Sequence, residues 1–298
     1  MKIYTIILNY NNYQKTKKCL EHLLNSTIRT KIIFIDNNSS DDSSLKIKEE
    51  FRNKDIDFIF NKENLGYPGG VNIGINKAIK GNADYVFLLN NDAYVLPDTI
   101  EKLLFHLEKN EKALIAGPTI FYYHKKNIVW QAGGYFNWLK IGPSVMFKNK
   151  RINLDKLSKK IFKVDFLSAC VWLVKAKAFK DLGLFYEKFF LYYDDFDFCY
   201  RVRKAGYEIL YIPYAVAYHD LGDITKTRTS NIALYNLARS YFIFIRKNFN
   251  LLVLIYGMAI FFFFYTPFRI YQILKGKQNI KNILYWFKGF SDGLTTSL

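Results

Sequence analysis

Two kinds of apolar spacing alternate over the first 110 residues. Ile3–Leu8, Ile32–Ile35, Phe58–Phe60 and Tyr85–Leu89 are short, nearly continuous runs of β-branched and aromatic residues. Such runs suit strands buried on both faces. Helical patterns lie between them, over Gln14–Leu24, Ser43–Phe51, Gly70–Ile79 and Asp98–Glu108. Strand–helix alternation predicts a parallel sheet with helices on both faces.

Beyond residue 110 the rhythm is mixed. Leu114–Ile120, Val129–Gly134 and Val164–Val174 read as strands, and the polar, basic Lys148–Lys163 reads as a loop or flap. Asp195–Ala205 reads as a helix stopped by Gly206, and Glu208–Ile212 as a strand ended by Pro213, because proline cannot donate to a sheet ladder. Ala215–Tyr218 is again strand-like. From about Ser230 the pattern is helical, and residues 248–268 carry no charge over 21 positions. About 20 residues of helix cross a hydrocarbon core. However, Asn250, Gly257 and Pro267 interrupt the stretch, and Arg246, Lys247, Arg269, Lys275 and Lys277 flank both ends, so charge assigns no orientation. A helix lying in or dipping into the membrane interface is the favoured reading; a full span and a soluble core or dimer helix are the alternatives.

Composition narrows the picture. The chain has 43 Lys/Arg against 26 Asp/Glu, a net charge of +17, which implies an anionic partner: nucleic acid, an anionic membrane or phosphorylated substrates. From Arg201 onward 13 basic residues face four acids, where the long apolar runs also lie. That mixture suits a membrane surface better than a DNA groove. Half the residues are apolar and 23% charged, which excludes a disordered chain. Cys19, Cys170 and Cys199 have no metal-ligand spacing and leave one unpaired, which excludes a disulfide framework and points to a reducing compartment. Met1-Lys2 runs straight into a strand-like segment, so no signal peptide is expected there.

Parallel sheets present ligands at the carboxyl ends of their strands. Four strand ends in a row run into Asn/Asp clusters: Asn9-Tyr10-Asn11-Asn12, Asp36-Asn37-Asn38, Asn61 to Gly70, and Asn90-Asn91-Asp92. Turn chemistry and helix capping explain any one of these; four on one edge suggest a binding rim. Neither G-x-G-x-x-G nor a phosphate loop occurs, so a base and ribose would be held by side chains and a diphosphate neutralised by a metal or basic groups. Asp92 is then the metal-ligand candidate, or else a turn residue before the next helix. Asp194, Asp195 and Asp197 crowd a helix start beside four aromatics. They either compensate the helix dipole or supply a general base whose pKa is raised by its surroundings. His219 follows a strand-like run, as a structural residue or a metal or phosphate ligand.

Taken in order, Ile7-Leu8-Asn9-Tyr10-Asn11, Asp36-Asn37-Asn38-Ser39-Ser40-Asp41, Asn64-Leu65-Gly66-Tyr67-Pro68-Gly69-Gly70-Val71-Asn72, Leu88-Leu89-Asn90-Asn91-Asp92, Phe166-Leu167-Ser168-Ala169-Cys170 and Phe190-Leu191-Tyr192-Tyr193-Asp194-Asp195 resemble the family 2 glycosyltransferases, particularly their rhamnosyltransferase-like branch. The resemblance covers residues 1–245 and implies an α/β GT-A fold: a mostly parallel twisted sheet with helices on both faces. It also implies inverting transfer of a sugar, rhamnose among the candidates, from a UDP or dTDP donor to a hydroxyl of a glycan or lipid-linked acceptor in surface polysaccharide synthesis.

By that resemblance Asn9, Asn11, Asp36, Asn38, Asn64, Gly66, Gly69, Gly70, Asn72, Asn91 and Asp92 belong to the nucleotide-sugar site. Asp92 and His219 would hold Mn²⁺ or Mg²⁺, and Asp195 beside Asp194 would be the base. Arg239, on the helix after the core, either adds charge near the leaving diphosphate or is a solvated or structural helix arginine. Trp172 and Tyr193 either stack on the acceptor or pack the core. Two departures stand out: Asn90 replaces the first acid of a D-x-D metal motif, and Asp194 replaces the commoner Glu. The expected organisation is a catalytic domain over 1–229, with a nucleotide-sugar half over 1–110 and an acceptor half over 111–229. A helical, membrane-associated region over 230–298 follows. The chain is expected in the cytoplasm, peripheral on or anchored in the inner face of the membrane, with a homodimer as one partner option. The alternatives are a nucleotidyltransferase-type enzyme, whose usual basic Gly-rich signature is absent early in this chain, and a non-catalytic basic membrane-surface or nucleic-acid binder, for which no nucleic-acid-binding motif is seen.

Overall fold

The computed structural model describes residues 1–221, 230–275 and 279–298. The domain boundary expected at 229 and the flanking Lys277 lie outside the described residues. The first half is built as the alternation predicts: β1 (Ile3–Asn9), α1 (Tyr13–Leu24), β2 (Lys31–Asp36), α2 (Ser43–Glu50), β3 (Ile56–Phe60), α3 (Gly66–Lys80) and β4 (Tyr85–Leu89). The four strands are parallel in the order β3-β2-β1-β4. Alternate side chains feed two cores. Ile6, Ile33 and Ile35 pack with Val71 and Ile75 of α3 on one face. Ile7, Phe34 and Phe87 pack with Cys19 and Leu20 of α1 on the other. Because both faces are covered, the strands carry no polar alternation.

α3 begins four residues before the expected Gly70. Gly70 and Gly74 sit inside it, and a Cβ there would lie 2.5 Å from Leu8 and 2.8 Å from Ile35. These glycines let the helix lie close on the sheet, a gain that offsets their poor helix propensity. Gly69 likewise backs onto Leu65. Both glycines thus have a packing role beside any part in the nucleotide-sugar site.

The second half adds β5 (Ala93–Val95), α4 (Thr99–Glu108), β6 (Ala113–Tyr122), β7 (Lys125–Gln131), β8 (Gly134–Asn137), β9 (Gly142–Val145), β10 (Phe162–Val164), β11 (Val171–Lys175), α5 (Ala176–Leu182), α6 (Asp194–Lys204) and β12 (Glu208–His219). The main sheet runs β10-β12-β6-β11-β4-β1-β2-β3, with β5 paired to β12 and β7 to β6; β8 and β9 form a separate hairpin. Two expectations are revised. Val164–Val174 is not one strand: β10 and β11 pair with different neighbours, and a loop between them carries Ser168 and Ala169. Pro213 does not end its strand either. β12 runs on to His219, with a register shift between Ile212 and Val216 that leaves the proline outside the ladder.

After the described gap come α7 (Asn231–Asn248), α8 (Leu251–Leu274, with a π turn at Phe261–Tyr265) and α9 (Asn282–Thr295). Phe242 and Phe244 of α7 are fully buried in the same core as α3 and α6. α9 lies closely along α7, where Gly289 and Gly293 face the backbone of Tyr235 and Arg239.

Asp197 joins α6 to the end of α7. Its fully buried carboxylate accepts from Arg201 Nε at 2.9 Å, Lys247 Nζ at 2.7 Å and Asn248 Nδ2 at 3.0 Å. Removing one partner of a buried ion pair leaves an uncompensated charge. Asp197→Ala is expected to lower stability by about 3–5 kcal/mol, measured as a shifted urea midpoint with unchanged slope. Thus one acid of the cluster is structural, and the other two are available for chemistry.

Candidate active site

The site forms where β4, β12 and α6 end or begin. β4 runs into Asn90-Asn91-Asp92, and β5 then pairs antiparallel with the end of β12, setting Ala93 opposite His219. The pairing brings His219 Nε2 to 2.9 Å from Asp92 Oδ1, and the Asp220 amide donates to the Asp92 carbonyl at 2.8 Å. His219 is 4% exposed, its Nδ1 has no partner, and the edge of Trp130 packs on its ring at 4.3 Å between centroids.

The opposite wall is the start of α6. Phe190, Tyr192 and Tyr193 all have left-handed backbone (φ 59°, 64° and 65°), a costly conformation for bulky residues. Outside contacts hold it. Ser240 Oγ donates to the carbonyls of Phe189 and Leu191, and the Tyr67 amide donates to the Phe190 carbonyl at 2.9 Å. Gly66 makes the last contact possible: at its φ of +70° an added Cβ would lie 2.4 Å from that same carbonyl. Gly66 thus serves the acidic turn.

A cavity of about 500 Å³ separates the two walls and is lined by Asp92, His219, Asp194, Asp195, Tyr67 and Tyr193, among others. Asp195 Oδ1 accepts from the Phe196 amide at 2.8 Å and Oδ2 from the Ala169 amide at 3.4 Å. Burial pushes its carboxyl up to about 6, while these amides and the Ser168 hydroxyl hold it down. Burial, and then the neighbouring Asp195 charge, hold Asp194 well above the usual carboxylate range. Of the two, Asp195 therefore ionises first, in the range a general base near neutral pH requires.

The structure brings Asp92, His219, Asp194, Asp195 and Tyr193 to one cavity. Other expected site residues lie elsewhere. Asn9 is fully buried: its Nδ2 meets Ser43 and Ser44 at 3.0 and 2.8 Å, and its Oδ1 accepts from Thr16 and Asn91 at 2.7 and 3.1 Å. This knot ties strand ends together and leaves nothing for a base. Asp36 belongs to the same knot, accepting from the Ser39 amide at 3.1 Å and from Ser44 Oγ. Asn11 and Asn38 stay on the exposed rim in left-handed backbone, and Asn64 Oδ1 caps the Gly66 amide at 2.9 Å.

Three assignments are corrected outright. Asn72 is buried and satisfied by Phe185 and Glu187. Trp172 is fully buried between Phe185 and Phe198, so it packs the core and meets no acceptor. Arg239 donates to the Lys188 carbonyl at 2.6 Å, and its backbone is covered by Gly293; it does not line the cavity.

Gln131 was not anticipated. It lines the cavity at 3% exposure with Nε2 lacking a partner, and the buried Oδ1 of Asn90 is likewise unpartnered. A buried, unpaired amide is costly, so both groups are recognition candidates for a polyhydroxyl ligand. The sequence signal was a lone glutamine ending an apolar strand.

Among the described residues no group of three or more His, Cys, Asp or Glu side chains could hold a metal. The Asp92–His219 pair still fits a divalent ion, because Mg²⁺ needs only one or two carboxylates when substrate phosphates complete its shell.

The model of the family described as "Glycosyl transferase family 2" matches residues 4–183. The chain belongs to that family. Among its relatives the glycosyltransferase is 25% identical over 210 residues to the low-salt glycan biosynthesis hexosyltransferase Agl10 of Haloferax volcanii, covering 68% of this chain and 62% of that protein. It is 25% identical over 235 residues to an N-acetylglucosaminyl-diphospho-decaprenol L-rhamnosyltransferase of Mycobacterium tuberculosis, covering 72% and 74%. Its fold matches the crystal structure of GalNAc-T7 with UDP, GalNAc and Mn²⁺ at a TM-score of 0.63 and 16% identity, over 82% of this chain and 48% of that one. The fold is accordingly GT-A-like, with its sheet mixed but mostly parallel.

Proposed function

We propose that this glycosyltransferase moves a sugar, rhamnose being the leading candidate, from a UDP or dTDP donor to a hydroxyl of a lipid-linked glycan at the cytoplasmic face of the membrane. The supporting observation is the cavity itself: an acid with a near-neutral pKa on one wall faces an acid–imidazole pair on the other. The diphospho-decaprenol and rhamnosyl parts of the mycobacterial relative's name support the acceptor and sugar classes.

In this reading Asp195 takes the proton of the acceptor hydroxyl as its oxygen bonds to the anomeric carbon. The bond from that carbon to the donor diphosphate breaks on the opposite face, so one displacement inverts the centre. Asp92 and His219 would hold Mn²⁺ or Mg²⁺ against the diphosphate, and the ion would supply positive charge for the leaving group. Gln131 and Asn90 present amides to sugar hydroxyls. The basic, apolar C-terminal helices keep the enzyme on the membrane.

The first test is thermal stability with UDP and dTDP, each with Mn²⁺ and with chelator. Ligand at 100 times its dissociation constant adds about 2.7 kcal/mol. A shift with one nucleotide that chelator removes is expected; unchanged melting with both would overturn the donor assignment.

Protonation gives a second expectation. Transfer at saturating donor should fall tenfold per unit below a single midpoint at about 6, as Asp195 takes up its proton. The stability effect runs the other way. The fold favours the protonated carboxyl, so its contribution is full below 3.8 and is lost as pH rises through about 6. A pH–rate profile and a pH series of urea midpoints separate the two.

A further inference from the structure

Building on the reading of a lipid-linked acceptor, we infer that the tip of the β8–β9 hairpin and the outward face of α8 form one lipid-contacting edge. This edge seats the mouth of the catalytic cavity on an anionic bilayer. The first two residues of the tip are apolar and exposed: Trp138 is 60% and Leu139 79% accessible, before the half-buried Lys140 and the buried Ile141. On α8, Leu252 and Phe263 are 75% and 74% accessible. The helix is 24 residues long, yet its most apolar window is only 22% buried in the protein. Contiguous exposed apolar surface of this kind marks a binding face.

The hairpin and the helix are fastened together. Tyr256 Oη donates to the Leu139 carbonyl at 3.2 Å, and Tyr265 Oη donates to the Lys140 carbonyl at 3.1 Å. The Trp138 ring lies 5.7 Å from that of Phe249, at the junction of α7 and α8. The β9 strand that leaves this tip lines the active site. Pro143 and Val145 line the cavity, and a Cβ on Gly142 would lie 3.5 Å from Tyr193 Oη. Only Lys140, Ile141 and Gly142 separate the exposed Leu139 from Pro143 in the cavity wall beside the acidic turn.

Charge selects the occupant. Residues 230–298 hold eight Lys/Arg and a single acid, Asp292. Anionic headgroups complement this surface, whereas a second copy would set like charge against like. Trp138, Tyr256 and Tyr271 also supply the amphipathic rings that favour the headgroup level.

The test uses the full chain carrying Leu139→Cys labelled with an environment-sensitive nitrobenzoxadiazole probe; the native Cys19, Cys170 and Cys199 are all buried thiols. With phosphatidylcholine–phosphatidylglycerol vesicles the protein should co-float and the probe emission should shift to the blue. Pure phosphatidylcholine should give a much weaker response. The double variant Trp138→Ser/Leu139→Ser should lower vesicle partitioning about tenfold or more, with melting temperature and nucleotide response unchanged. Co-flotation with no probe shift would overturn the inference by leaving the hairpin out of the bilayer. A concentration-dependent shift without vesicles would overturn it in favour of a second copy, and failure of the folded chain to bind anionic vesicles would overturn it altogether. No readout uses sugar transfer, so a negative result here leaves the catalytic reading standing, and a missing nucleotide response leaves this one standing.

Discussion

Asp195→Asn is expected to lose sugar transfer by about 10³-fold, within the 10²–10⁴ that a positioned general base contributes. The substitution keeps the shape of the side chain. It also keeps an oxygen that can accept from the Phe196 amide, now 2.8 Å from Asp195 Oδ1. Folding and donor binding should therefore survive, and the loss should fall on kcat. Asp194→Asn is the informative control. Burial and the Asp195 charge keep Asp194 protonated while its neighbour ionises, so the amide replaces a neutral group and costs much less. Initial rates and nucleotide-dependent melting of both variants decide the matter. Near-normal transfer by folded Asp195→Asn would remove it as the base.

Asp92→Asn carries the second-largest expected effect. Asp92 is the carboxylate beside His219 on the cavity wall, at 2.9 Å. A divalent ion contributes several kcal/mol of charge stabilisation in such sites, and each 1.4 kcal/mol is tenfold. The variant should lose about a hundredfold or more in transfer. The more specific expectation concerns linkage: nucleotide-dependent melting of the variant should become indifferent to Mn²⁺ and to chelator. Wild-type protein in chelator should behave as the variant does. A variant whose nucleotide response still depends on metal would move the metal site away from Asp92.

What the chain disclosed in advance followed from burial. β1, β2 and β4 were readable because strands covered on both faces are predominantly apolar, β3 by its apolar Phe58–Phe60, and the polar clusters at their ends were equally visible. Their use was harder to read. Asn9 looks like a ligand group in sequence, but its partners Ser43 and Ser44 lie 34 and 35 positions away, and pairing over that distance leaves no local trace. Trp172 misleads for a related reason: β11 is central, so both its faces are core. Gly70 makes room for Leu8, a contact the sequence does not announce; a glycine signals close approach without naming what approaches. Pro213 was taken as a stop, yet a register shift absorbs it. Gln131 was passed over because one polar residue at a strand end becomes notable only once its unpaired amide is seen in the cavity.

The pairing of β5 with the end of β12 has a consequence for biogenesis. Asp92 and His219 are separated by 127 positions and meet only when that pairing closes. During synthesis the half-sheet β3-β2-β1-β4 can be complete while the acid still waits for its imidazole. Contacts of such long range form late. A chain ending before residue 219 lacks the imidazole that Asp92 meets. On the proposed role of this pair, competence to hold the donor arrives with the last strand, and the site acts as its own check that the chain has been threaded that far.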